Sequence, residues 1–434
     1  MISDHSEPDS LPFRLLWTIG IVVHRARRWG CSLFVLASLT LSTRVSHAEF
    51  PSLAHAIKLA SERAIVVADA QAELGAAYAR GVGARVSAVG NPSSDIQVDR
   101  GVTESTTIQA LSYTYVPVDI AGQRGTRIHE AERLIDWRKL GVSDARATAM
   151  SEVVSAYGAM LLVSARASEA AVGEQAAREE AKYFAGRLQA KDTTIYEASL
   201  AEAEVARWVQ THAAASLQFI RASAHFGELT GMLNIEPPPP GADLSPPSLQ
   251  GTWDETYLAR RIELSPILAR LDAEERYWNA SLTRYERERV PPVSLELIVG
   301  RGSMGELRLG GGALLTFPIT HRYQEEIARA QQGSTHAAKR RTLYRTIIEA
   351  RLRAARAARL TLQQTRAELE RIGIPALERA VAAATAAFKA GKIDLSRALL
   401  TRRDLSTARG RRLELLEEEW RAYAELVLIL GAQP

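Results

Sequence analysis

The sequence predicts a mainly α-helical chain with a small β part, built as two copies of one unit: helix, two strands, long helix hairpin. Three observations carry this expectation: an internal match at an offset of 200 residues, period-two alternation in short segments, and long runs of apolar residues three and four apart.

The repeat fixes the organisation. LQAKDTTIYEA, from Leu188 to Ala198, faces FKAGKIDLSRA, from Phe388 to Ala398, and Leu229-Thr230-Gly231 faces Ile429-Leu430-Gly431 at the same distance. Nearer the front the offset grows by one, with Tyr115-Val116-Pro117-Val118 facing Thr316-Phe317-Pro318-Ile319, as a one-residue loop insertion would leave it. Between the copies, Glu236 to Ser248 is Pro-rich and lacks an apolar period, which reads as an extended linker. The expected domains are therefore 49–232, a linker over 233–253, and 254–434.

Strands follow from alternation. Ile96 and Val98 alternate with Gln97 and Asp99; Leu295, Leu297 and Val299 form a second series; Leu307, Leu309, Gly311, Ala313, Leu315 and Phe317 form a third. Polar, Gly-containing loops join each pair, Arg100 to Ser105 and Gly300 to Gly305. One oily face opposite a polar one suits a membrane barrel strand and equally a half-buried hairpin.

The helices are long and doubly seamed. Val142, Ala145, Ala149, Val153, Ala156, Met160, Val163, Ala167 and Ala170 form one stripe, and Met150, Val154, Tyr157, Leu161 and Ala165 lie beside it. Two seams imply two neighbours. A helix from Gly125 to Gly186 would reach roughly 90 Å, far more than a globular domain needs.

At the N-terminus, Arg25, Arg27 and Arg28 precede the apolar run Cys31 to Leu41, and Ser46-His47-Ala48 offers small residues for cleavage. Residues 1–48 are expected to be an export signal cut after Ala48. Cys31 is the sole cysteine, so the exported product would carry no thiol, as suits an oxidising compartment.

Charge excludes little except nucleic acid. The chain is +4 overall, and beyond residue 48 it holds 49 basic against 47 acidic residues, with Arg and Glu mixed along the same helices. No basic face is gathered, and no nucleic-acid partner is expected.

Geometry then argues for an assembly. Four strands cannot close a barrel, and an open sheet in lipid would strand its edge N–H and C=O groups. Three chains would supply about twelve strands, an even number in the range of such barrels. The expectation is a homotrimeric barrel of twelve strands continuing into an α-helical coiled-coil barrel. A rod-like periplasmic scaffold remains the alternative that helix periodicity leaves open.

This pattern resembles the TolC-like outer-membrane efflux proteins over nearly the whole chain. The resemblance rests on SLAHAIKLA (Ser52 to Ala60), Asn91-Pro92-Ser93, PVDIAGQRG (Pro117 to Gly125), Gly373-Ile374-Pro375 and FKAGKIDLSRALL, in order and across two copies. FPITHRYQEEIARAQ, Phe317 to Gln331, is similar to the heavy-metal efflux, CzcC-like branch. The resemblance implies a trimer in the outer membrane of a Gram-negative bacterium, with a periplasmic adaptor, an inner-membrane pump of the RND type, and surrounding outer-membrane lipid as partners. Metal-ion efflux, drug efflux and type I protein secretion all fit.

Carried onto this sequence, the resemblance puts adaptor-contacting helix tips at Arg187, Leu188, Lys191, Ile195, Lys389, Gly391, Lys392 and Leu395. Gly391 keeps the turn glycine that Lys191 replaces in the first copy. The family's acidic constriction falls on Arg397 and Leu400, so a basic mouth of Lys389, Lys392, Arg397, Arg402 and Arg403 is expected instead. Tyr113, Tyr115, Phe317 and Tyr323 are expected to form an aromatic membrane girdle.

No catalytic residues, cofactor or metal are expected. Gly300-Arg301-Gly302-Ser303-Met304-Gly305 spells GxGxxG, but ELRLGGGALLTFP after it alternates like a strand, whereas a dinucleotide fingerprint opens a helix. There is no HExxH, and no cysteine remains after export to ligate zinc.

Overall fold

The computed structural model describes residues 50–432, apart from 87–90, 102–106, 240, 250–252, 292, 303 and 318. The expected export signal over 1–48 lies outside them.

The first copy runs α1 (Leu53–Arg63), α2 (Ile65–Ala84), β1 (Ser93–Gly101), β2 (Thr107–Val118), α3 (Gln123–Gln189) and α4 (Ile195–Thr230). The second runs α5 (Glu255–Glu263), α6 (Pro266–Glu288), β3 (Val293–Arg301), β4 (Leu307–Leu315), α7 (Gln324–Glu368), a π-turn (Leu369–Gly373), α8 (Ile374–Lys389) and α9 (Leu395–Leu430). At 67 residues α3 is roughly 100 Å long, while its counterpart is broken by the π-turn.

Equivalent positions end the helices by equivalent means. Gly231 and Gly431 both take the left-handed conformation that closes a helix, at φ 75° and 64°. Thr194 and Asp394 cap α4 and α9, accepting the N–H groups of Glu197 and Arg397. The long helices start alike too: Gly122 and Tyr323 are left-handed, and the next residue in each case, Gln123 or Gln324, accepts the N–H of Ala121 or Arg322 at 2.9 and 2.8 Å. These starts are offset by 201 and the caps by 200, so one residue is lost in the second copy between Gln324 and Asp394, within the helices themselves.

Both stripes foreseen on α3 have partners. Val153 and Met160 of one stripe and Val154 and Leu161 of the other pack with Ile57 of α1, Phe226 of α4, and Leu416, Trp420 and Val427 of α9 in one core. A second core joins Leu258, Leu268, Leu352 and Ile429 of α5, α6, α7 and α9. The most apolar stretch of α3 is long and apolar enough to cross a membrane, yet it is 56% buried against these neighbours. The linker lies on the first core through Ile235, Ala242, Leu244 and Leu249, and Trp420 donates to the Leu244 carbonyl at 2.9 Å.

Glycine permits close helix approaches at three places. Gly158 lies against the Trp420 ring, Gly173 against Trp208 and Gly333 against Trp278, with no room for a Cβ at any of the three. Buried ion pairs accompany them: Glu130, 2% exposed, bridges Arg80 of α2 and Arg284 of α6.

Candidate functional site

The strands form one antiparallel sheet in the order β1-β2-β3-β4, leaving β1 and β4 as its edges. Its register decides which residues share a face, because cross-strand partners point the same way. Ile96 faces Ser112, which faces Val299, which faces Leu309; Val116 faces Leu295, which faces Ala313. This face is apolar and exposed: Ile96 is 71% accessible and Leu309 70%. The opposite face carries Asp95, Gln97 and Asp99 of β1, Glu296 of β3, and Arg308, Gly310 and Gly312 of β4.

That register corrects the aromatic girdle. Asp95 pairs with Tyr113 and Glu296 with Tyr115, so both tyrosines stand on the polar face. Period-two reading could have shown this, since Tyr113 and Tyr115 alternate with Ser112, Thr114 and Val116. Phe317 continues the apolar series past the end of β4 and is 65% exposed. Tyr323 sits at the start of α7, its ring 5.9 Å from Tyr285 and 5.3 Å from His321. The GxGxxG segment is the turn between β3 and β4, closed by Gly305 N–H to the Gly302 carbonyl at 3.0 Å, and a strand follows it.

At the far ends of the helices, the two tips repeat bond for bond. Ala190, Lys191 and Asp192 donate to Gly186, Leu188 and Arg187; Ala390, Gly391 and Lys392 donate to Ala386, Phe388 and Ala387. Lys191 reaches φ 61° where Gly391 has 70°, so the lysine accepts the left-handed turn without changing its geometry. A side chain there is strained by about 1–2 kcal/mol. Gly391→Ala should therefore destabilise the protein by about 1 kcal/mol, and Lys191→Gly should stabilise it by somewhat less, the unfolded chain gaining freedom. Urea midpoints check both, and equal shifts in the same direction would contradict the strain argument.

The tip residues then divide by burial. Leu395 is 1% exposed in a core with Phe184, Ala198, Ala201 and Leu399, and Leu188 packs against it. Leu395 therefore cannot be a surface contact: α9 begins on its buried side. Arg187 donates to the Asp192 carbonyl at 2.6 Å. Lys191, Ile195, Lys389, Gly391 and Lys392 remain exposed.

The expected basic mouth is also thinned. Arg402 pairs with Glu180 of α3 at 2.7 Å, and Arg403 with Glu204 of α4 at 2.9 Å, tying the second hairpin to the first. Arg397 and Leu400 stay exposed. Burial acts to raise the Glu204 pKa, but hydrogen bonds from Arg207 and Arg403 outweigh it and hold the carboxyl below its ordinary 4.5. A depressed carboxylate stabilises the fold above its ordinary pKa, and the contribution fades as pH falls through the lowered one. Glu204→Gln should accordingly flatten the acid limb of a melting-temperature profile below about pH 4.5; an unchanged limb would assign the acid sensitivity elsewhere.

Sheet, repeated helix starts and paired tips together make a fold shared with solved outer-membrane channels. The structure is similar to that of a membrane protein from Pseudomonas aeruginosa, with TM-score 0.74 at 16% identity, covering 89% of this chain and 92% of that one. It is equally similar to CusC, with TM-score 0.74 at 13% identity over 88% and 92% of the two chains. The outer-membrane channel CmeC of Campylobacter jejuni gives 0.72 at 14% identity over 87% and 85%. In sequence, the chain is 28% identical over 354 residues to the cobalt-zinc-cadmium resistance protein CzcC of Cupriavidus metallidurans, covering 76% of this chain and 78% of that protein. No protein-family model matches the chain.

Proposed function

We propose that this chain is the outer-membrane channel subunit of a tripartite efflux system that exports divalent metal ions. One observation carries the channel: a four-stranded sheet with an exposed apolar face and two unpaired edges. Lipid accommodates such a sheet only if the edges close, and three copies close them into a single barrel. The leader is removed after Ala48. The helices extend into the periplasm, and the exposed tip residues Lys191, Ile195, Lys389 and Lys392 meet an adaptor that leads to an RND-type pump.

The cargo reading rests on likeness to CzcC and on the charge of the polar face. With the apolar face toward lipid, Asp95, Asp99 and Glu296 line the exit duct, while Arg308 is engaged by Glu306 at 2.9 Å. A narrow wall with an excess of one charge sign concentrates the opposite ion.

Fractionation and planar-bilayer recording test this. The protein should stay in the outer-membrane pellet through a high-salt wash, run as a trimer in mild detergent and conduct cations preferentially. Asp95→Asn/Asp99→Asn/Glu296→Gln should bring the cation-to-anion permeability ratio down severalfold toward unity. Deleting the gene should sensitise cells to cobalt, zinc or cadmium. A monomer that dissolves without detergent would sink the channel reading, and unchanged metal tolerance would sink the cargo.

A further inference from the structure

The charged residues of the strands sort by face. Asp95, Asp99, Glu296 and Arg308 stand on the polar face, whereas the apolar face carries only Arg100 and Arg301. Both arginines lie at the hairpin-loop end, farthest from the helices. Arg100 is opposite Ile108 and Arg301 is opposite Ala110, one pleat repeat nearer the helices. Two strand spacings and that offset separate their backbones by about 12 Å, too far to share one small anion.

Their surroundings are oily. Val98 is 65% exposed, Ile108 63% and Leu307 73%. Arg301 is held at its own turn, its Nε donating to the Gly305 carbonyl at 3.2 Å. The neighbouring acid Glu306 is turned to the polar face, where Arg308 holds it. Among the described residues, neither Arg100 nor Arg301 forms an ion pair.

An arginine on a lipid-facing surface is costly at the bilayer midplane but nearly free at the interface. Two of them in the last two rows of the apolar face therefore mark that interface and present guanidinium forks to it. We propose that Arg100 and Arg301 bind the phosphate groups of the outer-leaflet glycolipid, anchoring the barrel rim to that lipid. The inference rests on the channel reading, which places the hairpin loops outward.

The purified trimer in zwitterionic micelles is titrated with diphosphoryl lipid A, its dephosphorylated form, phosphatidylglycerol or inorganic phosphate, and retained lipid is read by native mass spectrometry. Wild type should hold diphosphoryl lipid A at least fivefold more tightly than the dephosphorylated form and phosphatidylglycerol. Arg100→Gln and Arg301→Gln should each weaken it about fivefold, as expected for one basic residue at an anionic surface. Arg100→Lys/Arg301→Lys should retain most of the binding, and Arg308→Gln on the polar face should change nothing. Displacement of lipid A by millimolar inorganic phosphate, equal retention of phosphatidylglycerol, or a double Gln variant that binds like wild type would each overturn the proposal. A trimer that conducts yet is indifferent to lipid A defeats this inference alone, whereas a soluble monomer defeats the channel reading.

Discussion

Arg366→Met is expected to destabilise the protein by about 3–5 kcal/mol, the range for removing one partner of a buried ion pair. Arg366 closes α7, and Nε donates to Glu419 of α9 at 2.7 Å. The Glu419 side chain is wholly buried and that of Arg366 is 16% exposed. The same guanidinium holds Glu370 at 3.0 Å, and Arg412 of α9 reaches Glu370 at 2.6 Å, so the cluster fastens the π-turn to α9. Methionine keeps most of the packing of the stem and leaves a buried carboxylate without its hydrogen-bonded cation. Arg359 cannot readily replace it: this buried arginine donates to the Pro247 carbonyl and lies 4.9 Å over the Tyr423 ring. Arg366→Met/Glu419→Gln should recover more than half of the loss, because the stranded charge is gone. Urea midpoints of the detergent-solubilised protein measure both. A single variant within 1 kcal/mol of wild type would show that Glu419 is hydrated after all.

The pairing of Arg366 with Glu419, 53 residues apart and on separate helices, illustrates what the sequence withholds. Arg and Glu are so frequent along these helices that no spacing singles out the buried pair, and only packing decides which charges leave water. Local and periodic features are different. The 200-residue repeat, the alternating strands and the two α3 stripes were legible because each depends on a period of 2 or about 3.6 that sequence displays directly. The tip turns were legible as well, although Lys191 obscured the first: the chain shows the residue, whereas the hydrogen bonds show that its backbone obeys the same turn. Leu395 departs from its tip motif because the first residue of α9 falls on the buried side of the helix. The polar-face location of Tyr113 and Tyr115 is written in the parity of the strand and not in residue type.

Gly158→Val should destabilise the protein by about 3 kcal/mol, the upper end of the usual range for overpacking a core. Gly158 is in the middle of α3, where helix propensity alone would favour alanine by about 1 kcal/mol. Packing reverses that preference, because a Cβ would occupy the space of the Trp420 ring. The ring has nowhere to retreat. Tyr157 and Tyr423 bracket it with centroids at 5.8 and 6.1 Å, and its Nε1 is committed to the Leu244 carbonyl. Displacing it would orphan that carbonyl and loosen the linker from the core, so the damage spreads from one helix contact to the join between the copies. Trp420→Leu in the Gly158→Val background should restore part of the stability, whereas alone it should destabilise, and the cycle isolates the contact. Gly125 is the control: it lies on the same helix with nothing within 4 Å of a Cβ, and Gly125→Ala should stabilise slightly. If the variants at 125 and 158 moved the urea midpoint alike, propensity rather than the Trp420 contact would govern α3. The close approach of α3 to α9 would then need another cause.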